Sequence, residues 1–121
     1  MTVVRGRLRH SLSRWASSEN MEAEELRTDT VKAGCTPISE AADRERVRLR
    51  GSLRTVTLRP RGGVPALEAE LYDGTGVITL VWLGRRRIAG VEPGRQVEVT
   101  GRIGVQDGVR IMYNPRYELR D

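Results

Sequence analysis

LEAELYDGTGVITLVWL, residues 67–83, decides the fold. Leu67, Ala69 and Leu71 alternate with Glu68, Glu70 and Tyr72, the period of a strand with one apolar face and one wet face. Asp73-Gly74-Thr75-Gly76 is a tight turn, and VITLVWL (77–83) follows it, apolar on both faces. Two strands joined by so short a turn form an antiparallel hairpin.

The same period extends on both sides of the hairpin. Upstream, Val47, Leu49 and Leu53 share a parity interrupted by Gly51, whereas Val56 and Leu58 fall on the opposite one. A parity change inside one strand predicts a bulge or bend. RPRGGVP (59–65) is a loop. Downstream, GRRRIAGVEPG (84–94) is a connection with room for one short helical turn. In QVEVTGRIGV (96–105) the residues Val97, Val99, Ile103 and Val105 alternate around Gly101. Gln106-Asp107-Gly108 turns the chain into VRIMY (109–113), Asn114-Pro115 breaks that strand, and RYELRD (116–121) closes the sequence.

Five short strands leave two wet edges if the sheet stays open, so closure is expected. Gly51 and Gly101 allow the bending that closure needs. The expected fold is mainly β: a five-stranded OB-fold Greek-key barrel over residues 46–121, with an α-helical N-terminal extension and linker over residues 1–45. An SH3-like barrel stays open as an alternative, because alternation does not specify strand pairing.

In the extension, Leu8, Leu12 and Trp15 share a helical face. Ser17, Ser18 and Asn20 are placed to stop one helix and cap a second, MEAEELRTDTVKAG (21–34). Early acids, the late Lys32 and a stop at Gly34 suit the helix dipole. Its sizeable apolar residues are only Met21, Leu26 and Val31, so it must lie on the barrel, pair with another copy or a protein partner, or be loosely held. CTPISEAADR (35–44) reads as a linker.

The chain has 121 residues, with 21 Lys or Arg against 16 Asp or Glu. The excess is local. Residues 1–45 hold seven basic and eight acidic side chains, residues 46–121 fourteen and eight. A basic domain attracts polyanions, nucleic acid first. All the basic residues except Lys32 are Arg, which also fits arginine-heavy codon usage. Arg5, Arg7 and Arg9 precede no apolar run, so no signal peptide, no membrane span and a cytoplasmic location are expected. The single Cys35 and single His10 exclude an internal disulfide and a Cys- or His-cluster metal site. Gly62-Gly63 lacks the Lys-Ser/Thr of a phosphate-cradling loop. No cofactor and no catalysis are expected.

Several pieces occur together in a familiar order: Tyr72-Asp73-Gly74-Thr75-Gly76, Val81-Trp82-Leu83, Glu92-Pro93-Gly94, Val99-Thr100-Gly101-Arg102 and Met112-Tyr113-Asn114-Pro115-Arg116-Tyr117-Glu118. Through them, residues 47–118 resemble the OB-fold nucleic-acid-binding family. Within it they resemble the OB wedge domain of RecG-type branch-migration helicases and the related anticodon-binding domains. Leu83-Gly84-Arg85-Arg86-Arg87 and the N-terminal helices look like small stand-alone OB proteins of actinobacteria. Helicase motifs are missing, so the resemblance implies a binding module without a motor.

In OB-folds the face of strands two and three, with its bordering loops, is the usual oligonucleotide site. Arg59 and Arg61 flank Pro60 on the first such loop, and Arg85, Arg86 and Arg87 form the densest basic run; both sets suit phosphates, DNA favoured over RNA. Their alternative is a solvated loop. Tyr72 and Trp82 are stacking candidates, although Trp82 shares its parity with Ile78 and Leu80 and so points to the core. Arg110, on the last strand, completes the candidate set. Glu68 and Glu70 on the exposed face of strand two would repel phosphates. A protein-interaction or scaffolding module using the acidic helix is the alternative function.

Overall fold

A computed structural model describes the backbone of residues 2–121 and the side chains from residue 17 onward. A helix, α1 (Thr2–Lys32), is followed by a 3-10 turn at Ile38–Glu40. Seven strands come next: β1 (Arg46–Leu58), β2 (Ala66–Tyr72), β3 (Val77–Leu83), β4 (Gln96–Arg102), β5 (Gly104–Gln106), β6 (Val109–Tyr113) and β7 (Arg116–Arg120). They form one sheet in the order β5-β6-β3-β2-β1-β4-β7, antiparallel except for the β3–β6 pair. The hairpin read from residues 67–83 is present, with Leu67 opposite Trp82 and Leu71 opposite Ile78.

The expected five-stranded closed barrel is not what forms. The sheet has seven strands, and its outermost members, β5 and β7, do not pair with each other. The reason lies at Ile103, inside the stretch read as a single strand. Its N–H donates to the Glu45 carbonyl and its own carbonyl accepts from Arg44 N–H, both at 2.8 Å. The strand is thereby broken, and residues 104–106 turn to pair with β6. The free side of β4 is taken by the C-terminal residues as β7. The remaining edges are a three-residue strand and one carrying Arg116, Glu118 and Arg120, both of which discourage edge-to-edge pairing without closure.

The open sheet still wraps one core. β1 pairs with β4 through Arg46 to Ser52 and with β2 through Ser52 to Leu58, so one long strand serves two neighbours in succession. The handover falls at Ser52, next to Gly51, where a Cβ would collide with the Tyr72 carbonyl, and the predicted irregularity follows between Leu53 and Thr55. At Gly101 a Cβ would lie 2.7 Å from Met112 Sδ, which lets β4 and β6 approach through side chains. Leu49, Leu53, Leu71, Ile78, Leu80, Val99 and Met112 meet in the resulting interior.

α1 runs without interruption, against the expected break at Ser17, Ser18 and Asn20. Those residues are exposed on the helix, where their lower propensity costs only about 0.5 kcal/mol each and nothing bars the turn sterically. The shared face of Leu8, Leu12 and Trp15, and the surroundings of His10, lie outside the described side chains. Gly34 ends the helix as expected, at φ 69°, with its N–H donating to Val31 O and Cys35 N–H to Thr30 O. Ala23, Leu26 and Thr30 are buried against the sheet, and Arg27 donates to the Gly74 carbonyl at 3.0 Å. Met21 and Val31 face outward. Among the described residues no helix is long and apolar enough to cross a membrane.

Residues 35–44, read as a linker, are packed onto the sheet. Ile38 is fully buried in the core, and its N–H donates to Asp73 Oδ2 at 2.8 Å. The other oxygen of Asp73, itself inaccessible to solvent, accepts from Thr75 N–H (2.9 Å), Thr75 Oγ1 (2.6 Å) and Gly76 N–H (3.1 Å). Cys35 is buried between α1 and the sheet, its Sγ 3.8 Å from Glu98 Oε1. Burial, then the neighbouring Glu98 carboxylate, pushes its thiol pKa up.

Two outcomes are expected. Asp73→Ala leaves the buried Ile38 N–H and the part-buried N–H groups of Thr75 and Gly76 without this acceptor and lowers stability by about 2–4 kcal/mol, read by urea denaturation. A midpoint equal to the wild type's would show that the turn holds without it. Cys35, poor in thiolate and shielded, should react with a thiol-specific disulfide reagent at least about tenfold more slowly in the native protein than in urea.

Candidate nucleic-acid interface

The candidate residues and the other arginines of the sheet occupy three different settings. The first is the outward side of β1, β2, β3 and β6, where Thr57, Glu68, Val81 and Tyr113 lie in one row across the strands. Arg61 reaches this row from the β1–β2 loop. Its guanidinium donates to Glu68 Oε2 at 3.2 Å and to Tyr113 Oη at 3.0 Å, and Tyr113 in turn donates to Gln106 Oε1 at 3.2 Å. Arg59 stands more loosely, 4.0 Å from Glu68 Oε1 with its side chain 67% exposed. The repulsion expected from Glu68 is therefore offset by the loop arginines themselves. Glu70 accepts from Thr55 Oγ1 at 2.8 Å. Arg61 is committed to this network, and Arg59 retains free donors.

Tyr72 lies on the same side of β2, half-buried, with the Arg54 guanidinium 3.7 Å above its ring centroid. That stack occupies one face of the ring. Arg54 sits at the β1 irregularity, so its approach to Tyr72 depends on the bulge and was not visible in the alternation alone.

Trp82 and Arg110 are engaged within the protein. Trp82 is 5% exposed, edge-on to Tyr117 with ring centroids 5.8 Å apart, and its indole N–H donates to the Pro115 carbonyl at 3.2 Å. A ring so enclosed offers no face to a base. Arg110 donates through Nε to Ala41 O (2.9 Å) and through Nη2 to Ser39 O (3.0 Å). It clamps the 3-10 segment against β6 and has its donors directed inward.

The second setting is the β3–β4 connection. Arg85, Arg86 and Arg87 are all exposed there, between buried Trp82 and buried Ile88. Among the described residues none of the three has an ion-pair or hydrogen-bond partner. Leu83 N–H donates to Asn114 Oδ1 at 2.9 Å, which anchors the start of this loop beside the β6–β7 turn.

The third setting is the ion-pair network beneath α1. Arg50 contacts Glu98 at 3.1 Å and Asp29 at 3.2 Å; burial opposes its charge, but the two carboxylates outweigh that and raise its pKa. Arg48 donates to Ala33 O at 2.8 Å. These arginines hold the helix. Among the described residues no group of three or more His, Cys, Asp or Glu is placed to bind a metal.

No protein-family model matches the sequence, and no curated protein matches it. Solved structures do. A structure of RecG bound to a three-way DNA junction superimposes over 71% of this chain with a TM-score of 0.61 and 20% identity. The p204 HINb domain superimposes over 70% of it with a TM-score of 0.58 and 16% identity. This chain spans 12% of the RecG chain and 46% of the HINb chain. At such identities the likeness establishes a fold shared with part of each of these chains.

Proposed function

We propose that the protein is a non-catalytic nucleic-acid-binding module for single-stranded or branched DNA, acting through phosphate neutralisation with little base stacking. The observation that carries this reading is the set Arg85, Arg86 and Arg87, three adjacent guanidinium groups exposed on a tethered loop with no described partner. Elsewhere on the sheet, carboxylates, carbonyls or an aromatic ring engage Arg48, Arg50, Arg54, Arg61 and Arg110. Free arginine forks at a chain turn suit phosphate oxygens. The fold shared with a protein solved on a three-way DNA junction supports the same ligand class. Arg59 adds a further charge, whereas Trp82 and Arg110 contribute to stability.

A second reading, a protein-interaction module, is favoured by the outward Met21 and Val31 on a helix otherwise lined by Glu22, Glu24 and Glu25. Self-association in light scattering that disappears in a Met21, Val31→Ser variant would support it.

The main reading is tested by fluorescence anisotropy of labelled oligothymidylate over a salt series. Wild-type affinity should fall as salt rises, because phosphate contacts release counterions. Replacing Arg85, Arg86 and Arg87 with Gln should weaken binding about tenfold at low salt and flatten the log–log salt slope by about 2. Binding independent of salt would sink the proposal. Trp82→Phe should leave affinity unchanged within about twofold while lowering stability by about 1–2 kcal/mol through loss of the bond to Pro115. A large affinity loss in that variant, with stability retained, would restore Trp82 as a stacking residue.

A further inference from the structure

The outward side of β1, β4 and β7 holds a second concentration of unneutralised charge. Val47 and Leu49 of β1, Val97 and Val99 of β4, and Leu119 of β7 face the core, so the alternate residues face out. Register then lines up Arg50, Glu98 and Glu118 in one row, Arg48, Thr100 and Arg116 in the next, and Arg46 opposite Arg102 in the last. In the first row Glu98 is taken up by Arg50. Toward the last row the carboxylates run out. Arg46, Arg102 and Arg116 are exposed, and among the described residues none has an ion-pair or hydrogen-bond partner. Glu45, the acid next to Arg46, accepts from Ala42 N–H at 3.2 Å, and Glu118, two residues beyond Arg116, is the acid nearest to that arginine along the chain, in the row with Glu98.

Directly opposite strand residues have Cα atoms about 4.5–5.5 Å apart. Like charges so placed destabilise a sheet. The free protein therefore carries an uncompensated repulsion at Arg46 and Arg102 that a bound polyanion would relieve. The patch also has a neighbour. Arg116 follows Asn114 and Pro115, the residues to which Leu83 N–H and the Trp82 indole are hydrogen-bonded, and the loop of Arg85, Arg86 and Arg87 leaves from Leu83.

We infer that Arg46, Arg102 and Arg116 on the outer face of β1, β4 and β7 extend the phosphate-binding surface, taking up the sugar–phosphate backbone of a DNA strand that also contacts the loop of residues 85–87. The inference rests on the nucleic-acid reading above and locates a second contact region for it, on the same outward face of the sheet but on different strands from the β2–β3 region.

The test is Arg102→Glu, with Arg46, Arg102, Arg116→Gln as a second variant, in the full chain with labelled oligothymidylate and a thermal melt. Arg102→Glu replaces a repulsive cross-strand pair with an attractive one, so its Tm should equal or exceed the wild type's while its affinity falls about fivefold or more. The triple Gln variant should flatten the salt slope by about 2. Wild-type affinity in both variants, alongside loss in the variant of residues 85–87, would overturn this inference and leave the nucleic-acid reading standing. Affinity loss accompanied by a lower Tm would assign the three arginines a structural role and also overturn it. If the wild-type protein does not bind, both fall together.

Discussion

The side chain of Asp73 joins parts of the chain that alternation treats as separate. Sitting in the β2–β3 turn, it gathers two N–H groups and a hydroxyl of its own turn on one oxygen and the N–H of Ile38 on the other. The turn is thereby shaped and the segment after α1 is fastened to it, with Ser39 N–H donating to Thr75 Oγ1 as a second tie. Ile38 enters the core as a result, and α1 is brought to where Ala23 and Arg27 meet Gly74, a position at φ 87° with no room for a side chain. An inaccessible polar group is tolerated only when its hydrogen-bonding capacity is met, and here meeting it organises the connection between helix and sheet.

Electrostatics on the sheet follow from register. Arg46, Arg48 and Arg50 alternate along β1 and face one way, yet their fates differ. Arg50 lies opposite Glu98 and near Asp29, Arg48 reaches the end of α1, and Arg46 faces another arginine. Farther along the same face, on β2, Arg61 and Glu68 cancel each other. Among the described residues, positive charge left over by these pairings includes the loop of Arg85, Arg86 and Arg87, the loosely held Arg59, and Arg46, Arg102 and Arg116 on the outer face of β1, β4 and β7.

Much of this was legible in the chain. The hairpin of residues 67–83 is encoded by local alternation and a Gly-rich turn, the bend in β1 by the parity change, and the helix stop by Gly34. The parity of Trp82 also spoke for the core, where it lies. Other features depended on partners distant in sequence. Ile103 belongs to a regular alternation, and only its backbone bonds to Arg44 and Glu45 end the strand there. RYELRD carries no strand signal stronger than that of a tail until β4 offers it an edge.

Amino-acid order by itself determined that the chain is mainly β with a helical start, that Leu67, Ala69 and Leu71 share an inward face, as do Val97 and Val99, and that the basic excess sits after residue 45; Val105, in the same alternation as Val97 and Val99, is exposed. These are short-range properties, set by periods of two or four residues and by composition. Tertiary structure alone decided that the sheet stays open with seven strands, that Arg110 and Arg61 are occupied, and which arginines remain unpaired. Each of those outcomes depends on which strands lie side by side and in what register, and a pattern repeating every two residues is the same in every register of equal parity.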